Sequence, residues 1–107
     1  MDAKLLAGTL DLLILESLLP GRSYGYAITQ SVKAASQEAI LIKEGSLYPA
    51  LHRLERSGAL KAEWGEENGR RRKYYKLTAE GRKALATKRS AWTQFAAGMN
   101  AVLEAGT

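Results

Sequence analysis

Asn68-Gly69 constrains this chain more than any other pair of its residues. A two-residue type I′ loop needs positive φ at both positions, and Asn-Gly between alternating segments is the strongest short signal for one. The segments are "ALKAEWG" before it and "RRKYYKL" after it. Leu60, Ala62 and Trp64 alternate on one side of the first. Tyr75 and Leu77 are expected to point inward from the second, with Tyr74 and Lys76 pointing away. The cations Arg70, Arg71, Arg72 and Lys73 then fall at and just past the tip of a β-hairpin.

Helical patterns surround the hairpin. Thr9 is placed to cap a first helix, with Asp11 favourable near its N-terminus. Leu10, Leu13, Ile14 and Leu18 recur at helical spacing, and Pro20-Gly21 ends the element. Leu12, Leu15 and Leu19 lie around the other side, so this helix is apolar on most of its circumference and must be buried on more than one face. In so small a protein, one of those faces is expected to meet another subunit. Ser23 caps a second helix over Tyr24 to Ala35, which turns Tyr26 or Ala27, Ile28 and Val32 toward the core. "AILIK", Ala39 to Lys43, is a β-branched run that predicts one strand. Gly45-Ser46 opens a third helix, where Pro49 is tolerated because the first turn needs no intrahelical N–H donors. Leu47, Leu51 and Leu54 form its narrow core stripe, and Gly58 supplies a left-handed stop. Thr78 caps a long final helix with Glu80 in its first turn.

Composition removes several classes of function. The chain has 107 residues, 46% of them hydrophobic, enough for one modest core. It has no cysteine and a single histidine, His52. A disulfide framework, a thiolate zinc site and an imidazole triad are therefore out of reach within one chain. No nucleophile–base pair, metal cluster or phosphate loop can be assembled, so neither an enzyme, a metal nor a cofactor is expected. "LDLLILESLL", Leu10 to Leu19, is interrupted by Asp11 and Glu16 and is too short to span a bilayer. It also lacks a basic leader, and the expectation is a soluble, cytoplasmic protein without a membrane partner.

The net charge of +5 is unevenly placed. Residues 53–89 hold 12 Lys and Arg against 5 Asp and Glu, while the remainder holds 4 against 6. Such a block is the pattern of a polyanion-binding footprint, although charge alone fits a solvated surface equally well. Architecture decides between them. The order helix, helix, short strand, helix, hairpin, helix describes a winged helix-turn-helix of the α+β class, mostly α. Its third helix is placed to enter a major groove, with a basic hairpin beside it. Residues 1–78 would form the DNA-binding domain with its N-terminal helix, and 79–107 a C-terminal dimerisation helix.

"SYGYAI" (Ser23 to Ile28), "EGSLYPALHRLERSG" (Glu44 to Gly58) and "GRRRKYYKLTAEG" (Gly69 to Gly81), at this spacing, resemble the signature segments of PadR-type transcriptional regulators. With the leucine-rich first helix, the resemblance covers nearly the whole chain. The single short C-terminal helix is similar to that of the compact subgroup. The resemblance implies a homodimeric winged-helix repressor, dimerised by the final helix with help from the first. It also implies release from DNA by a small aromatic or drug-like effector bound near the dimer interface.

Particular residues follow. On the third helix, Ser46, Tyr48, Pro49, His52 and Arg53 make a polar face for double-stranded operator DNA. Arg70, Arg71, Arg72 and Lys73 would touch phosphates or the minor groove. Tyr24 could donate to a phosphate, and Lys33 could add a point charge. Tyr26 is expected in the core, and Gly25 to allow close helix packing. Leu85, Trp92, Phe95, Met99 and Val102 follow a heptad-like seam, which Leu10 and Leu13 of the first helix would join in a dimer. Trp92 and Phe95 could also wall a cavity on the two-fold axis and stack a flat apolar ligand. The alternative function is a winged-helix module that binds a protein partner or RNA without ligand control.

Overall fold

The computed structural model describes residues 8–106. Within them the elements run α1 (Leu10–Ser17), β1 (Ser23–Tyr24), α2 (Gly25–Ala35), α3 (Glu44–Arg56), β2 (Leu60–Glu67), β3 (Arg70–Leu77) and α4 (Ala79–Ala105). The three strands form one antiparallel sheet in the order β1-β3-β2.

The core lies where α1, α2 and α3 meet. Ile14, Leu15, Ile28, Leu47, Ala50 and Leu51 are fully enclosed there. Leu60 and Tyr75 from the sheet and Leu85 from α4 close it. Each large apolar side chain so buried contributes roughly 1.5–3 kcal/mol. The four-and-three spacing of Leu47, Leu51 and Leu54 gives α3 its buried stripe, and every residue of that stripe is enclosed.

The hairpin forms at the expected place. Glu67 pairs with Arg70, leaving Asn68 and Gly69 as the loop at φ 53° and 76°. The loop thus has the positive φ at both positions that an I′ turn demands. Gly58 ends α3 at φ 85°.

Several expectations need correction. "AILIK" forms no strand. The third place in the sheet is taken by Ser23 and Tyr24, paired with Tyr75 and Tyr74. Ser23 therefore does not cap α2, and Tyr24 holds the cap position. The chain leaves α2 through a left-handed turn at Gln37 and Glu38 (φ 55° and 65°), held by the Glu38 N–H donating to Lys33 C=O at 2.8 Å. Ile42 then drops into the core while Leu41 stays exposed. Tyr26 is 62% exposed rather than core, because Ile28 and Val32 already fill the inward face of α2. Helix α3 starts at Glu44, with Lys43 in the cap position. Pro49 accordingly sits in the second turn, and the Gly45 carbonyl loses its intrahelical donor.

Helix α4 is anchored by its first turn. Thr78 Oγ1 accepts from Gly81 N–H at 3.0 Å and donates to the Gly58 carbonyl at 2.6 Å. The Thr78 N–H donates to Ala59 C=O at 3.1 Å. Gly81 rests directly on Ala59, and a Cβ there would come within 2.1 Å of the Ala59 carbonyl oxygen. Beyond Leu85 no residue of α4 is buried, and the helix carries the molecule out to 56 × 28 × 22 Å.

Gly81→Ala is accordingly expected to destabilise the fold more than Thr78→Ala does. Loss of the Thr78 cap should cost about 1 kcal/mol. The Gly81 clash, against backbone that cannot give way, should cost about 1–3 kcal/mol and shift α4. Urea unfolding of both variants, followed by far-UV circular dichroism, checks the order.

Candidate nucleic-acid interface

With Leu47, Ala50, Leu51 and Leu54 turned inward, α3 exposes Ser46, Tyr48, Pro49, His52, Arg53 and Arg56. Tyr48 is seated against α2. A Cβ at Gly25 would lie 2.6 Å from its hydroxyl oxygen, so glycine is what lets the two helices approach here. Arg53 is not a free guanidinium. Its Nη2 donates to Asp11 Oδ1 at 2.7 Å, which ties the exposed face of α3 to α1.

The wing stands beside α3. Lys73 Nζ lies 3.6 Å from Glu55 Oε1, joining β3 to α3. Strand alternation sorts the four wing cations onto two faces. Arg71 and Lys73 share the α3 side with Leu60 and Tyr75, whereas Arg70 and Arg72 lie on the outer side with Tyr74. They do not form one continuous patch.

The outer face is an alternation of rings and charges. Arg72 lies over the Tyr24 ring at 4.1 Å, and Arg22 over the Tyr74 ring at 4.2 Å. The two tyrosines meet edge to face at 5.7 Å. Tyr74, expected to point away into solvent, is thus buried after all, because Arg22 and Tyr24 cover it. Its hydroxyl donates to Glu67 at 2.9 Å. Glu63 accepts from Arg22 at 3.1 Å and lies 3.7 Å from Lys76. Tyr24 is therefore gathered to the wing. Lys33 is not: it sits in the last turn of α2, 3.7 Å from Glu38, about 14 Å along the helix from Tyr24.

Trp64 is the largest departure from the alternation pattern. It lies on the α3 side of β2 but is 60% exposed, with Arg71 over its ring at 4.7 Å. Arg22, Asp11 and Trp64 are the interface neighbours that sequence patterns did not single out. Arg22 carries no local signal, because its partners lie 41 residues away on β2 and on β3.

The proposed seam residues fall into two groups. Leu10 and Leu85 are enclosed in the chain's own core and have almost no surface left for a partner. Leu13 is half-buried against that core. Trp92, Phe95, Met99 and Val102 are exposed, together with Leu103. The Trp92 and Phe95 rings are 6.1 Å apart and tilted by 43°. Arg89 of α4 is bonded to Glu16 of α1. A cleft of about 580 Å³ opens beside this bond, lined by Leu19, Leu85, Arg89 and neighbouring α4 residues. It contains neither Trp92 nor Phe95.

Among the described residues no group of side chains could hold a metal ion. No helix among them is long and apolar enough to cross a membrane.

Residues 14–87 match the Transcriptional regulator PadR-like family. A transcriptional regulator from Clostridium thermocellum has a similar structure, with a TM-score of 0.84 and 38% identity, covering 92% of this chain and 96% of the other. A PadR family transcription regulator from Clostridium difficile superposes with a TM-score of 0.76 at 34% identity, covering 89% and 98% of the two chains. Transcriptional regulator Rv3488 of Mycobacterium tuberculosis is 36% identical over 83 residues, 78% of this chain and 75% of the relative.

The electrostatics of the outer sheet face predict how stability depends on pH. The Arg22 hydrogen bond, aided by Lys76, holds the Glu63 carboxyl below its ordinary value of 4.5. Its contribution is complete above 4.5 and is lost as pH falls through the lowered folded value. The bond to Glu67, reinforced by burial, pushes the Tyr74 phenol above its ordinary 10.0. That contribution is complete below 10.0 and disappears as pH rises through the raised value. In thermal melts across pH, Glu63→Gln should flatten the acid limb and Tyr74→Phe the alkaline limb, each leaving the other limb unchanged.

Proposed function

This chain belongs to the PadR-like family of transcriptional regulators, and from that premise we propose that it is a homodimeric, DNA-binding repressor released by a small aromatic ligand. The observation that carries the DNA-binding reading is the Lys73–Glu55 ion pair, which sets a basic hairpin against the exposed face of α3. In this reading α3 lies in the major groove, with Ser46, Tyr48, Pro49, His52 and Arg53 toward base edges and backbone. The wing cations hold phosphates beside it.

Dimerisation is supported by α4. A helix that leaves the core after Leu85 and still carries Trp92, Phe95, Met99, Val102 and Leu103 has an apolar face that stays exposed among the described residues. A second copy would cover it. A flat ligand between the two Trp92 rings would bind by burial and stacking. To release DNA it must favour one spacing of the two α3 helices over the other, since equal affinity shifts nothing.

The protein is expected to bind a pseudo-palindromic duplex with half-sites roughly 34–36 Å apart. A monomer by light scattering at micromolar concentration, with undiminished operator binding, would exclude the dimeric reading. Changing Arg70, Arg71 and Arg72 together to Ala should weaken binding to every sequence, lowering the log–log salt slope by roughly 0.9 for each phosphate no longer neutralised. An unchanged slope means that these cations are merely solvated. Arg53 and Asp11 give a separate test. If Arg53 reads a guanine edge, Arg53→Ala alters preference at particular base pairs, and Asp11→Asn strengthens binding to the same sites. If the pair only positions α3, both substitutions weaken all sites alike. For the ligand, planar aromatics should quench tryptophan emission and weaken DNA binding, and Trp92→Ala should abolish both effects while Trp64 still reports the fold.

A further inference from the structure

We propose that Trp64, with the Arg71 guanidinium seated on its ring, is a second DNA-contacting element of the wing: the indole lies against the sugar edge of the backbone and presents Arg71 to a phosphate. The proposal rests on the duplex-binding reading above and adds to it Trp64, which neither the hairpin signal nor the charge pattern assigns to DNA, and the seat that it gives Arg71. Trp64 faces the α3 side of the hairpin, paired across the strands with Lys73, whose ammonium reaches Glu55 of α3. A ladder of Glu55, Lys73, Trp64 and Arg71 therefore runs from the reading helix toward the wing tip.

Two features of the ladder point to a polyanion with an apolar edge. The Trp64 indole stands 60% exposed on this face, with Arg71 over its ring. Arg71, for its part, makes no ion pair among the described residues, although Glu66 is its cross-strand partner. The ring fixes the guanidinium plane without neutralising its charge. Lys73 differs, because its charge is already matched by Glu55. The unspent charge on this face thus sits at Arg71, above an exposed apolar surface. A nucleic-acid backbone offers the complement to both: phosphate oxygens for the fork of the guanidinium and deoxyribose carbons for the ring. The opposite arrangement occupies the outer face, where Tyr74 is buried and Arg22 has Glu63 as a partner. That face offers no comparable exposed ring.

The test uses full-length protein carrying 5-fluorotryptophan and a duplex retrieved by selection from random sequence. Two fluorine resonances are expected, from Trp64 and Trp92, and Trp64→Phe assigns them. Adding the duplex should shift the Trp64 resonance. Trp64→Ala and Arg71→Ala should each weaken binding roughly three- to tenfold, and each should lower the log–log salt slope by about one. The double variant should be no weaker than Trp64→Ala alone, because removing the ring already unseats the guanidinium. Trp64→Phe, which keeps an aromatic seat, should retain most of the affinity; with the fluorine shift it decides the matter if Trp64→Ala melts below the assay temperature. A Trp64 resonance that does not move, a full salt slope in Trp64→Ala, or losses that multiply in the double variant would each overturn the proposal while leaving duplex binding intact. Wild-type protein that retains no duplex, or that prefers an acidic peptide or RNA, would overturn the duplex-binding reading as well.

Discussion

The seating of α4 on the carbonyls of Gly58 and Ala59 fixes the relation between everything else in the molecule. Ala59 closes α3 through its N–H to Leu54 C=O at 3.0 Å and opens β2. Its carbonyl accepts from the Thr78 N–H at the end of β3, and Thr78 Oγ1 reaches both carbonyls. One short junction therefore joins the end of the reading helix, both strands of the wing and the start of α4. Each hydrogen bond contributes only about 1 kcal/mol net. The stronger constraint is steric, because nothing larger than the hydrogen of Gly81 fits over the Ala59 oxygen. In consequence the end of α3, the base of the wing and the first turn of α4 are held in contact at one point.

The wing shows how four adjacent cations are tolerated in a hairpin with so little core. Arg71 and Arg72 sit over Trp64 and Tyr24, and Lys73 reaches Glu55. Rings and carboxylates fix where the long side chains point. Much of the side-chain entropy that binding would otherwise cost is then already spent in folding. The same interactions make the two faces unequal: one is a closed lattice of Tyr24, Arg72, Tyr74, Arg22 and Glu63, while the other leaves Trp64 and Arg71 open.

Helix α4 divides at Leu85. Its first turns belong to the chain's own core, and its remainder is exposed along its length. The Arg89–Glu16 bond is its last polar tie to α1. Helices in proteins draw most of their stability from packing an apolar face, so the apolar residues from Trp92 onward are where a stabilising partner has most to offer.

Signals that act over a few residues were legible in the sequence. Asn68-Gly69 set the hairpin loop, Thr78 the α4 cap, Gly58 the stop of α3, and Leu47, Leu51 and Leu54 its buried side. The family segments gave the winged-helix architecture. What failed were judgements about cover. Periodicity places Trp64 on the α3 side and Tyr74 on the other, yet the first is open and the second buried. Cover depends on which residues distant in sequence fold over each face, as Arg22 and Tyr24 do over Tyr74. "AILIK" has the composition of a strand, but the edge of β3 is taken by Ser23 and Tyr24. Leu85 fits a heptad seam that Leu10 is expected to join from the first helix, yet both are enclosed in the chain's own core. Arg53 reads as a free cation on a helix face until Asp11, 42 residues away, is brought to it. The sequence by itself determined which side of each element is apolar and where each begins or stops, because those follow from local backbone and side-chain chemistry. Only the tertiary structure decided which of those sides is covered and which charges are already paired, because both depend on residues far apart in the chain meeting in space.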